Sequence, residues 1–144
     1  MAAVKEGKLV VISGMPRSGK TTILRRLHDR LKFEEDIIVS KSYAVEKHRV
    51  TLSPLFMALY LDISDEEIDK VKIHRDNEKN TKKLIRLIQD KGKNVVLLID
   101  DAHAIQSQTL IDLKKLMETI NSTISKAQLK FSVVLAGRKF KKLF

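Results

Sequence analysis

None of the 144 residues is cysteine. Disulfides, a thiolate nucleophile and a cysteine-ligated zinc are therefore excluded. The four histidines, His28, His48, His74 and His103, show no HExxH-like pairing that would mark a zinc hydrolase. No stretch approaches the ~18 consecutive apolar residues that a membrane span requires. The opening MAAVKEGKLVVISG has only a short apolar run that leads into a glycine, so it reads as a strand rather than a signal peptide, and a cytoplasmic protein is expected. Neither an internal repeat nor a low-complexity linker divides the chain, and its length suits one domain with a real core. Nothing in it resembles a base-reading helix or an aromatic stacking platform.

Positive charge is in excess. Lys and Arg number 28 against 18 Asp and Glu, a net charge of +10. Such an excess suits polyanionic partners such as nucleotides or DNA, although a lysine-rich solvated exterior has the same composition.

The apolar pattern alternates between strand and helix. Residues 8–13 (KLVVIS) form a buried-strand run ending at Gly14. Ile23, Leu27 and Leu31 then recur every fourth residue, the stripe of a helix over about 21–31. Residues 36–40 (DIIVS) read as a second strand, and Ser53–Pro54 opens a helix over 53–61. Ser64 and Glu67 make a capping box ahead of Ile68 and Val71. The polar stretch 74–80 (HRDNEKN) reads as a connection before a helix over 81–91 that stops at Gly92. A third strand over 95–99, a long helix over 107–124 and a fourth strand over 131–137 complete the order. Strands alternating with helices imply a mostly parallel sheet covered on both faces, a three-layer α/β/α fold.

Between the first strand and the first helix lies GMPRSGKT, the full G-x-x-x-x-G-K-[ST] P-loop in the strand–turn–helix context that such a loop needs. Gly14 and Gly19 let the backbone curl so that its N–H groups point at phosphate oxygens. The positive end of the following helix adds to that field. The nucleotide-binding set is Gly14, Met15, Pro16, Arg17, Ser18, Gly19, Lys20 and Thr21, with Thr22 next on the helix. Lys20 reaches the β- and γ-phosphates of ATP, which also makes it catalytic, and the Thr21 hydroxyl is a ligand for Mg²⁺. Arg17 either touches phosphate or points to solvent.

The third strand, VVLLI, runs straight into two adjacent carboxylates, Asp100 and Asp101. Side by side they repel, so they need a cation or donors nearby. In an open parallel sheet, ligands sit at the carboxyl ends of the strands, where the P-loop also begins. Asp100 is thus the Walker B acid facing Mg²⁺, and Asp101 faces the γ-phosphate side as a candidate base for an attacking water. The competing reading makes either acid a helix cap, and Asp101 a salt-bridge partner as well. His103 either senses the γ-phosphate or simply opens a loop.

A hydrophobic strand ending in two acids is shared with the P-loop ATPases that carry an additional catalytic acid. LLIDDAHAI, an amphipathic helix and then FSVVLAGRKFKKLF resemble the AAA+ ATPases of the general secretion A (ExeA) type, whose relatives include transposition regulators such as TnsC. The resemblance implies that Gly14, Gly19, Lys20 and Thr21 hold nucleotide and that Asp100 serves Mg²⁺. Asp101 then takes the place of the usual glutamate with one methylene fewer. At the end of the fourth strand, where the family carries a polar sensor, this chain has Ala136, Gly137 and Arg138. The resemblance also implies a fifth strand beside the first and a helical lid, so residues 1–144 are expected to be one core domain incomplete at its C-terminus. It further implies self-association or a protein partner.

The expected function is Mg²⁺-dependent ATP binding and hydrolysis coupled to assembly or to partner binding, DNA included. A small P-loop phosphotransferase and a non-hydrolysing nucleotide switch are the alternatives. The tail 138–144 either binds nucleic acid or lays Phe140, Leu143 and Phe144 as a buried helical stripe. Lys82, Lys83 and Arg86 are read as a solvated helix face.

Overall fold

The computed structural model describes residues 6–13, 20–42, 52–64 and 74–137. Four strands, β1 (Leu9–Ser13), β2 (Ile37–Ser42), β3 (Asn94–Ile99) and β4 (Phe131–Gly137), form one sheet in the order β1-β4-β3-β2. All three pairings are parallel. Four α-helices, α1 (Lys20–Leu31), α2 (Leu52–Ser64), α3 (Asn77–Lys91) and α4 (Ser107–Ile124), cover it.

The two central strands explain their own composition. Every residue of β4 is buried, as are Val95 to Ile99 of β3. A strand covered on both faces has no solvent side on which polar residues could alternate, so it reads as an unbroken apolar run. Side chains of period two then divide the core. Val95, Leu97 and Ile99, with Phe131, Val133 and Leu135, pack under α2, α3 and α4. Val96, Leu98, Val134 and Ala136 turn the other way, toward Leu24 and Leu31 of α1. Among the described residues one face carries three helices and the other carries one.

β1 and β2 are the edges of this sheet. On β1, Val11 is 41% exposed, whereas its register partner Leu135 is fully buried.

The connection expected over 74–80 is mostly helix, because α3 begins at Asn77. Asp76 is the cap: its backbone is extended and its carboxylate accepts the Glu78 N–H at 2.9 Å. Asn80, 3% exposed, then folds back on the entering chain. Its Oδ1 accepts the His74 N–H and its Nδ2 donates to the His74 carbonyl, both at 2.8 Å. The far end follows the sequence reading, with Gly92 left-handed (φ 63°) and its N–H donating to the Ile88 carbonyl. Asn80→Ala should cost about 1–3 kcal/mol, because it removes two hydrogen bonds at about 0.5–1.5 kcal/mol each. Urea unfolding would show it, and a loss under about 0.5 kcal/mol would mean that water replaces the amide freely.

The other expected elements sit within a few residues of their places, with α2 extending to Ser64 and β2 to Ser42. The rest of the expected capping-box segment, 65–71, lies outside the described residues.

Candidate functional site

β3 and β1 both run out at the same end of the sheet, on either side of β4. The register pairs Ser13 with Gly137 and Ile99 with Leu135, so the residues that follow β1 and β3 are separated by the single strand between them. Two inter-strand spacings amount to about 10 Å. A nucleoside triphosphate with its cation could bridge a gap of that order. Among the expected phosphate-binding residues, Gly14, Met15, Pro16, Arg17, Ser18 and Gly19 lie outside the described residues. Lys20 opens α1, and Thr21 and Thr22 occupy its first turn.

Asp100 follows β3 directly and is half-buried, while Asp101 is exposed. Their local geometry separates them. Asp101 is left-handed (φ 52°, ψ 34°), one of two non-glycine residues with positive φ among those described. Such a backbone is uncommon outside glycine, and aspartate is among the residues that tolerate it best. The turn aims the Asp101 N–H back at Asp100, whose Oδ1 accepts it at 2.9 Å. One acid thereby orients the other: the Asp101 backbone steadies the Asp100 carboxylate, and the Asp101 side chain is carried out to the surface. Repulsion between adjacent carboxylates falls as the two side chains diverge.

Immediately beyond lies a single 3₁₀ turn, Ala102–Ala104, in which the Asp101 carbonyl accepts the Ala104 N–H at 3.1 Å. Ala102 is wholly buried and anchors this turn to the core below α4. His103, half-buried, sits in the turn and not in an open loop. Ala136 and Gly137 end β4 within the sheet, and Arg138 with the tail lies outside the described residues.

Among the described residues no group of three or more His, Asp or Glu could hold a metal alone. A steadied lone carboxylate is nevertheless the donor set that Mg²⁺ takes beside a nucleotide, because this ion keeps waters and draws its other ligands from phosphates. Asp100 fits that role. No described helix is long and apolar enough to cross a membrane.

A model described as an AAA domain matches residues 4–141. A search of curated proteins gave no match. Among solved structures, the chain is similar to one of Drosophila ORC bound to DNA, at 16% identity and TM-score 0.70, covering 93% of this chain and 33% of that one. It is similar to the Cdc6p crystal structure from Pyrobaculum aerophilum, at 13% identity and TM-score 0.69, covering 96% and 35%. A third is the Aeropyrum pernix ORC2 protein in its ADPNP–ADP complexes, at 14% identity and TM-score 0.63, covering 96% and 37%. The chain thus spans about a third of the length of each.

Proposed function

Because the chain belongs to the AAA domain family, we propose that it binds Mg²⁺–ATP at the sheet end where β1 and β3 finish, hydrolyses it, and couples nucleotide state to nucleic-acid or protein binding. The observation that carries this reading is the Asp100–Asp101 pair, one carboxylate steadied and half-buried, the other exposed beside it. Residues 14–19 and the first turn of α1 supply backbone donors and the Lys20 ammonium for the phosphates. Thr21 and Asp100 would hold Mg²⁺, which would neutralise charge on the phosphate oxygens. Asp101 accepts a proton from the attacking water. Its short side chain makes hydrolysis slow in the isolated chain, close to the behaviour of a nucleotide switch. Residues 1–144 act in this reading as one core domain. A kinship to the ExeA and TnsC type rests on LLIDDAHAI and FSVVLAG, and DNA as the partner is supported by the +10 charge and by the ORC structure with DNA.

The two acids separate by mutation. Asp100→Asn should weaken Mg²⁺-dependent ATP binding by about tenfold, some 1.4 kcal/mol, in calorimetry. Asp101→Asn should leave that affinity nearly intact and slow phosphate release by about 10²-fold or more, the usual contribution of a positioned base. Equal effects of both on binding would contradict the division of labour. Undetectable wild-type turnover with tight binding would replace the hydrolase by a switch.

A further inference from the structure

The first half of α3 presents Lys79, Lys82, Lys83 and Arg86 at spacings of three and four, which places them on one side of the helix. With His74 they line a hollow of about 390 Å³, and among the described residues that line it none is acidic or apolar. Lys79, Lys82 and Arg86 are exposed. Lys83 is half-buried, its ammonium 4.4 Å from the centre of the Tyr60 ring on α2. Lys82 pairs with Glu78 at 3.6 Å, and with both side chains about three-quarters exposed that pair contributes little. Like charges three and four residues apart destabilise a helix by about 0.2–0.5 kcal/mol per pair. A stretch of α3 thus holds repulsion that an external polyanion would relieve.

We infer that this hollow is a nucleic-acid backbone site, seating successive phosphates of one strand against Lys79, Lys82 and Arg86. The inference rests on the nucleic-acid half of the proposed function. From Lys79 to Arg86 the helix rises about 10 Å, long enough to face more than one phosphate of a strand laid along it. A protein partner is the poorer match. Interface cores are depleted in lysine and centre on aromatic or apolar anchors, and the described lining has none. A single small anion is poorer still, because exposed ammonium groups hold one charge weakly in water. Contacts of this kind position without reading bases.

The test is fluorescence anisotropy of the full chain with a random-sequence duplex over a range of salt concentrations. The triple variant Lys79→Gln/Lys82→Gln/Arg86→Gln should bind at least about tenfold more weakly at low salt. Its log–log salt slope should fall by about 2–3, since each phosphate contact contributes about 0.9. Arg86→Gln alone should lower the slope by about 1. A control of equal charge loss, Lys115→Gln/Lys126→Gln/Lys130→Gln, should stay within about twofold of wild type. Calorimetry with ATP and thermal melting, unchanged in all variants, establish that each is folded. Duplex binding untouched by the triple variant, or weakened as much by the control, overturns the site and leaves nucleotide binding standing. Polyglutamate competing as well as duplex overturns it in favour of an acidic protein. No wild-type binding at low salt overturns both the site and the nucleic-acid half of the proposed function.

Discussion

Replacing Lys20 with alanine is expected to weaken ATP binding by about 10²-fold or more while the fold survives. A hydrogen bond to a charged group contributes about 1.5–3 kcal/mol, and losing the lysine also removes the one side-chain cation assigned to the β- and γ-phosphates. The sum exceeds about 2.7 kcal/mol, which corresponds to 10²-fold in Kd. The backbone donors and the positive end of α1 remain, so weak residual binding is expected rather than none. Lys20→Arg should also bind poorly, because a broad planar fork replaces a compact point charge. Calorimetry with Mg²⁺ and ATP is the measurement, with the melting temperature followed in parallel. An alanine variant that keeps wild-type affinity would remove residues 14–21 as the nucleotide site.

The largest effect on stability is expected at Asn121, on the last turns of α4. Its Nδ2 donates to the carbonyls of Gly7 (3.1 Å) and Phe131 (2.9 Å), and its Oδ1 accepts the Phe131 N–H (2.8 Å). One amide therefore ties the entry to β1 and the start of β4 to the helix that packs on them. Gly7 completes the joint: it adopts φ 74°, and its N–H donates to the buried Ser132 hydroxyl at 2.9 Å. Asn121→Ala removes three hydrogen bonds and leaves the backbone of a fully buried Phe131 unpaired. At about 1–3 kcal/mol per stranded group, the loss should be on the order of 3–5 kcal/mol. That is a large part of an ordinary domain's stability, and Tm should fall by roughly 10 °C or more. Asn121→Asp keeps the acceptor for the Phe131 N–H and should fall between the two. A melting curve within about 2 °C of wild type would show that the joint is not needed.

Much of the architecture could be read from side-chain pattern because burial in this sheet is extreme. VVLLI and FSVVLAG had to be interior strands, and the helical stripes between them had to cover both faces. The position of Asp100 followed from the same run, since a carboxylate pair can stand only where the apolar segment ends. The features that escaped are those whose partners are backbone groups or curvature. Asp76 and Asn80 looked like linker residues because their capping of Glu78 and His74 has no apolar signature. Asn121 was one polar residue in an amphipathic helix, its role set by two segments more than a hundred residues apart. The left-handed turn at Asp101 has no sequence marker, as aspartate adopts it rarely. Lys82, Lys83 and Arg86 were legible as a charged face, but the hollow that gathers them with His74 exists only once α3 has been placed.

Among the described residues the sheet is covered unequally, and the side with one helix is the one that begins at Lys20. Local opening costs least where the fewest apolar groups must be exposed, so α1 and its small cluster around Leu24 and Leu98 form the layer of lowest local stability. Ile23, 49% exposed, adds little to its hold. A ligand that binds only the closed form stabilises it in proportion to the logarithm of its concentration over Kd. Nucleotide at the head of α1 would therefore act first as a clasp on this layer, slowing exchange of its amide hydrogens far more than those of the three-helix side.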